Sequence, residues 1–328
     1  MYKIYDEWPH LAKKTYETYD RPINFDGIDH IIFAGMGGSG AIGDIFSSIL
    51  SKTNIHVCVV KGYLLPKTVD ANTLVVTTSM SGNTSETMSV LNSANKINCK
   101  LMGFSSGGLM EQYCKKHKID HRKISLFHSP RSSFMPVFYY MLKVLEPILP
   151  IQKKDVIESI LELEKLQKKI FSGNLTDTNP SLKLAGWISD IPLIYYPHGL
   201  QAAAIRFKNS LQENSKIHAM TEDIIEACHN SIVSWEKPSS VKPILIRGDN
   251  DYIRTKERWE IVKEFFKMNG IDYHEIKSIK GNIISKLTTL IYLLDYSSIY
   301  LAALSKVDPS PVQPIDYIKS RLTAYDKP

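Results

Sequence analysis

Gly35-Met36-Gly37-Gly38-Ser39-Gly40 follows an apolar run at 30–34, and Ser79-Met80-Ser81-Gly82-Asn83-Thr84 follows a second at 73–78. Small residues and hydroxyls placed where a strand turns into a helix let backbone N–H groups, Ser and Thr side chains and a helix dipole address one anion. Two such cradles side by side suit a phosphorylated small molecule. The first also fits G-x-G-x-x-G, the dinucleotide pattern. That use wants a carboxylate about 20 residues on, at the end of the next strand, to hold a ribose hydroxyl. Here the run at 56–60 leads into Lys61-Gly62-Tyr63 instead. A lysine could meet a 2′-phosphate, but a dinucleotide leaves the hydroxyl-rich loop at 79–84 without a purpose.

These loops need elements to hold them. Apolar runs at 30–34, 56–60, 73–78, 99–104 and 123–127 alternate with amphipathic stretches at 40–51, 83–96, 108–117 and 133–148. The alternation predicts an α/β fold, a parallel sheet with helices on both faces. Ligands in such sheets bind beyond the carboxyl ends of the strands, where both loops and Ser105-Ser106-Gly107-Gly108 fall. A charged helix over 153–172 and the polar stretch Gly173–Pro180 mark a boundary. The pattern then restarts, with strand-like runs at 191–196, 241–247 and 273–277 leading into helix-like segments at 200–212, 256–268 and 286–304. The expected division is residues 1–152, a linker over 153–180, and residues 181–328. The second half has no Gly/Ser loop to match 79–84, so a single phosphate site is expected.

With 328 residues, 43% of them hydrophobic and 23% charged, the chain is globular and larger than one core usually serves. No basic segment followed by an apolar one suggests an export signal. The run Leu287–Leu304 is interrupted by Asp295 and reads as a buried helix. Cys58, Cys99, Cys114 and Cys228 show neither metal-ligand nor disulfide spacing, and reduced thiols suit the cytoplasm. The net charge of +6 is modest and its lysines are scattered, a solvated surface more than a nucleic-acid track. No metal, cofactor, nucleic-acid or membrane partner is expected.

Together with Ser129-Pro130-Arg131, the two loops resemble the sugar-isomerase (SIS) domain, and more narrowly the bifunctional phosphoglucose/phosphomannose isomerases of archaea and some bacteria. The resemblance continues through Arg206–Lys216 and Glu226–Asn230 to Pro314–Lys319, nearly the whole chain. It implies two SIS-type doubly wound parallel-sheet domains, flavodoxin-like αβα sandwiches. It also implies an aldose–ketose isomerase for glucose 6-phosphate, mannose 6-phosphate and fructose 6-phosphate. Gly37, Gly38, Ser39, Ser79, Ser81 and Thr84 would hold the sugar phosphate. Glu213 matches the base that moves a proton between C1 and C2 through a cis-enediol, and Arg131 would stabilise the enediolate. His229 would open the ring, since imidazole titrates near neutrality, and Lys319 would assist at the ring oxygen.

The resemblance further implies a homodimer in which His229 serves the neighbouring subunit's site, with the apolar helix near 286–304 leaving surface for the interface. By position alone Glu213 is a solvated helix-end glutamate, Arg131 a loop cation, His229 a turn residue and Lys319 an exposed helix charge. Their ordered occurrence across the chain is what favours catalysis. A sugar-phosphate sensor is the rival class, although residues 1–29 are too short for a DNA-binding helix-turn-helix, and an isomerase of another sugar phosphate is the rival within the class. One departure concerns Val312, where the dual-activity enzymes can carry threonine. Slower phosphomannose than phosphoglucose isomerisation is therefore expected.

Overall fold

Every residue of His30–Ala34 and of Thr73–Ser79 is buried, and strands without an exposed face belong in a sheet covered on both sides. They are β1 and β3 of a five-stranded parallel sheet with β2 (His56–Val60), β4 (Lys100–Ser105) and β5 (Asp120–Lys123), ordered β2-β1-β3-β4-β5. The computed structural model describes residues 1–325. The outer strand lies earlier than the apolar run at 123–127 suggests. Asp120-His121-Arg122-Lys123 is polar, yet Arg122 is buried by pairing with carboxylates, while the apolar residues that follow form the exit turn.

A second parallel sheet holds β6 (Ile191–Tyr196), β7 (Met220–Asp223), β8 (Val241–Arg247) and β9 (His274–Lys277), ordered β7-β6-β8-β9. Strand β7 carries no apolar run, because Met-Thr-Glu-Asp is a half-exposed edge. In each sheet the first strand is an inner one, with the second paired on one side and the third on the other. The strand order therefore reverses between β1 and β3 and again between β6 and β8, the switch points where doubly wound folds open a crevice.

Helices α1 (Tyr2–Asp6) and α2 (Trp8–Tyr16) precede the first sheet, whose own helices are α3 (Gly38–Leu50), α4 (Ser85–Ala94), α5 (Gly108–His117) and α6 (Phe134–Leu145). Between the sheets run α7 (Lys153–Ile170), a polar turn and α8 (Pro180–Trp187). The second half adds α9 (Gln201–Ser210), α10 (Ile224–Ala227), α11 (Ile253–Met268), α12 (Ile283–Leu304) and α13 (Gln313–Tyr325). One apolar core runs through both sheets, joining Phe33 and Val76 with Phe138, Leu163, Phe207, Ile244 and Leu290.

Helix α12 is long and apolar enough to cross a membrane, but 83% of its most apolar stretch is buried inside the protein. It packs on α7, α8 and α9. The expectation that it leaves surface for a subunit interface is corrected: a helix apolar on every side is spent in the core.

Candidate active site

The two Gly/Ser loops leave β1 and β3, the strands flanking the first switch point. Gly37 turns the chain into α3 with φ +53°, and Gly82 sits at φ +75° so close to Gly107 that an added Cβ would lie 1.8 Å from the Gly107 carbonyl oxygen. Only glycine accepts such backbone at no steric cost. The Met80 N–H donates to Ser39 Oγ at 3.3 Å, tying the loops together. Ser79 is almost wholly buried, with its Oγ 2.9 Å from Thr84 Oγ1 and accepting from the Gly82 N–H at 3.1 Å. Its hydroxyl shapes the loop, whereas Ser81 is exposed and Thr84 half-buried. Neither α3 nor α4 has a side chain capping its first turn. Two sets of helix N–H groups are thus left for an anion.

Lys61, the cation that bore on the dinucleotide reading, donates to Asp44 Oδ2 at 2.6 Å. Its charge is matched within the protein, so it is not an unmatched partner for a 2′-phosphate.

Arg131 and Glu213 meet across the fold. Helix α9 widens into a π-helical turn at Leu211–Ser215, a distortion that recurs at functional sites. The turn holds Glu213 half-buried, with its Oε2 3.3 Å from Arg131 Nε. Arg131 also donates through Nη1 to the Glu213 carbonyl (3.0 Å) and Asn214 Oδ1 (3.1 Å), and through Nη2 to the Ser310 carbonyl (3.0 Å). Lys216 donates to the Glu213 and Pro311 carbonyls, and burial together with the Arg131 charge lowers its pKa. The segment leading to α13 is thereby strapped beside Glu213.

Behind this lies a buried pair. Arg206 donates through Nε and Nη2 to Asp295 Oδ2 at 3.0 and 2.7 Å, and Ser210 donates to Asp295 Oδ1 at 2.6 Å. Burial raises the Asp295 pKa, with Arg206 the main opposing influence. Arg206 also donates to the Arg131 carbonyl at 3.0 Å. A Cβ on Gly38 would lie 3.6 Å from the Pro130 carbonyl oxygen and 3.8 Å from Arg206 Nη1. The first Gly/Ser loop, the Arg131 turn and the α9 network are therefore contiguous.

Gly37, Gly38, Ser39, Ser79, Ser81 and Thr84 thus occupy neighbouring loops, and Arg131 meets Glu213. His229 is exposed just after α10, its backbone N–H donating to the Glu226 carbonyl at 2.9 Å. Among the described residues no hydrogen bond or ion pair joins it to Arg131 or Glu213. Lys319 is exposed on α13, beyond the strapped segment.

Sequence reading assigned no role to Arg206, Asn214, Lys216 or Asp295. Asp295 did carry a signal: a carboxylate inside an apolar helix must be paired when buried.

The C-terminal region, residues 177–322, matches the family model for the bacterial phospho-glucose isomerase C-terminal SIS domain. A bifunctional phosphoglucose/phosphomannose isomerase of Caldicellulosiruptor bescii is 30% identical, over 98% of both chains. One from Thermoplasma acidophilum is 29% identical over 94% of this chain and 96% of its own. A hypothetical protein of Thermus thermophilus shares the fold, with a TM-score of 0.76 and 14% identity over 99% of this chain and 90% of that one.

Proposed function

Because the chain belongs to the bifunctional phosphoglucose/phosphomannose isomerase family, we propose that it interconverts glucose 6-phosphate and mannose 6-phosphate with fructose 6-phosphate, with Glu213 as the base. The observation that carries this assignment is the Arg131 Nε to Glu213 Oε2 contact of 3.3 Å, with the turn before Arg131 lying against Gly38 at the uncapped start of α3. A carboxylate there can take the C2 proton of the aldose and return it to C1, while Arg131 faces the charge that develops on the enediolate oxygen. The phosphate is anchored by Ser39, Ser81, Thr84 and the N–H groups around Gly37 and Gly38, with Ser79 keeping the second loop in shape. A protein that only senses a sugar phosphate has no use for a base held against an arginine.

In this reading residues 1–152 hold the phosphate, residues 153–180 link, and residues 181–328 supply the base. His229 opens the ring in the partner subunit's site of a homodimer, which agrees with its exposure and its separation from the Arg131 and Glu213 bonds. Lys319 assists at the ring oxygen. The reaction is assigned to the cytoplasm, in keeping with four free thiols.

Coupled assays on glucose, mannose, glucosamine and arabinose phosphates test the substrate range. Turnover of the first two is expected, and turnover of neither overturns the proposal. Mixing inactive His229→Ala and Glu213→Gln chains should restore up to one site in each mixed dimer. No recovery after verified subunit exchange assigns both residues to one chain's site.

A further inference from the structure

A cavity of about 410 Å³ lies away from the Gly/Ser loops, between the end of α2, β5 with its exit turn, and α6. None of the residues assigned to the reaction lines it. Strand β5 is the outer strand, separated by β4 from β3, whose loop is the second phosphate cradle.

The cavity has a buried cationic wall. Arg122 is 3% exposed and donates to Asp20 Oδ1 at 2.5 Å, Asp120 Oδ2 at 3.0 Å and the Arg21 carbonyl at 2.9 Å. Its Nε–H has no partner and is itself shielded from solvent. Arg21, paired with Asp120 at 2.5 Å, and the exposed Lys123 also stand at the lining, so three cations face the two carboxylates Asp20 and Asp120. Asp20 is already occupied by Arg122 and by the Tyr140 hydroxyl. Phe127, Pro136 and Val137 supply an apolar side. The volume falls within the range of small-molecule sites.

The same wall is bonded to the Arg131 turn. The Phe127 N–H donates to Ser133 Oγ at 2.7 Å, and Ser132 Oγ donates to the Phe127 carbonyl at 2.5 Å. Trp8 on α2, the helix whose end closes the cavity, donates to the Ser132 carbonyl at 2.7 Å. Ser132 and Ser133 directly follow Arg131.

We infer that this cavity is a second ligand site, taking a small organic oxyanion with an apolar body against Arg122, Lys123 and Phe127, and that its occupancy adjusts Arg131 through the 127–133 turn. The binding half of this inference is independent of the isomerase assignment, while the coupling half rests on it.

Calorimetric titration of the full chain with phenyl phosphate, with and without glucose 6-phosphate, tests the site, with benzyl alcohol as the uncharged control. Binding that glucose 6-phosphate does not displace is expected. Lys123→Glu, a reversal at an exposed side chain, should weaken it about tenfold, the scale of one charge-assisted hydrogen bond. Ser125→Trp, which fills the cavity from an exposed lining position, should abolish it. Complete displacement by glucose 6-phosphate, equal binding of benzyl alcohol, or unchanged affinity in both variants overturns the site. In steady-state assays phenyl phosphate should change kcat at saturating sugar phosphate in the wild type and not in Ser125→Trp. Binding with an unaltered kcat overturns the coupling and leaves the site standing.

Discussion

After β3 the loop at 79–84 satisfies its own backbone with hydroxyls: Ser39 accepts from the Met80 N–H, Ser79 from Gly82 and Ser81 from Asn83. After β8, at the matching place in the second sheet, the turn Gly248–Asp251 uses a carboxylate. The Gly248 N–H donates to Asp251 Oδ2 at 3.0 Å, and Trp259 Nε1 donates to the same oxygen at 3.0 Å. Asp249 beside it is paired with Lys277 at 3.1 Å. The second turn carries two carboxylates with Lys277 and Lys286 beside them, whereas the first carries neutral hydroxyls, and neither α4 nor α11 has a side-chain cap at its start. The same strand order thus builds a hydroxyl-lined loop in one half and a carboxylate-bearing turn in the other. Topology sets where a crevice opens, and the side chains on its rim set what can enter.

The contrast is broken most severely from the second half if that half supplies the base. Glu213→Gln keeps the shape without the basicity, and kcat should fall by roughly 10²–10⁴-fold, the usual range for a general base, with KM nearly unchanged. Proton exchange at C2 of the substrate should stop with it. Full exchange in the variant removes Glu213 from the proton transfer.

Paired substitutions in the two turns sharpen the comparison. Thr84→Val in the first should raise KM for sugar phosphate by about tenfold, one lost hydrogen bond to a charged group. Asp251→Asn in the second should leave KM alone and lower the melting temperature, because it weakens the turn's own cap and the Trp259 bond. A raised KM in Asp251→Asn would mean that the second turn also serves the substrate.

A smaller effect is expected at Val312. Its half-buried position follows Pro311, whose carbonyl Lys216 holds beside Glu213. Its branched side chain is stiff and lacks a hydroxyl. Phosphomannose turnover should therefore be slower than phosphoglucose turnover, and Val312→Thr should raise the mannose rate selectively by about tenfold or less. Equal specificity constants in the wild type and no selective response to the substitution would exclude this role.

Both halves should share the smallest effect, a loss of stability in acid. Burial holds the His30 pKa below 6.5 in the first sheet, with the His56 charge adding to it, and burial does the same to His274 in the second. An imidazole depressed in the folded state takes its proton more readily when unfolded, so its contribution is intact above pH 6.5 and fades as pH falls below. The melting temperature should drop below that pH, and less so in His30→Gln. A flat profile between pH 7 and 5 would discount both histidines.

Much of the first sheet was legible because its strands are uninterrupted apolar runs: 30–34 and 56–60 coincide with β1 and β2 to the residue. Strand β7 escaped and β5 was placed too late because edge strands need not be apolar, and Arg122 is buried in β5 through Asp20, 102 positions away, as well as Asp120. The loops at 35–40 and 79–84 announced themselves through glycine and hydroxyl spacing, which is local chemistry. Nothing local in Gln212-Glu213-Asn214 distinguishes a base from a solvated glutamate, and only the family resemblance singled it out.

The sequence by itself determined the alternation of strands and helices, the two small-residue loops and the hydrophobic burial of α12, since these follow from periodicity, backbone freedom and apolar run length. The tertiary structure alone decided that Arg131 would find Glu213 across 82 positions, that Asp295 would be matched by Arg206, and that the tail would be strapped beside them. Those are bonds that charged side chains make, to each other or to backbone carbonyls, far apart in the chain. A buried charge requires a partner, but which partner depends on how helices and strands stack, and no local pattern encodes that.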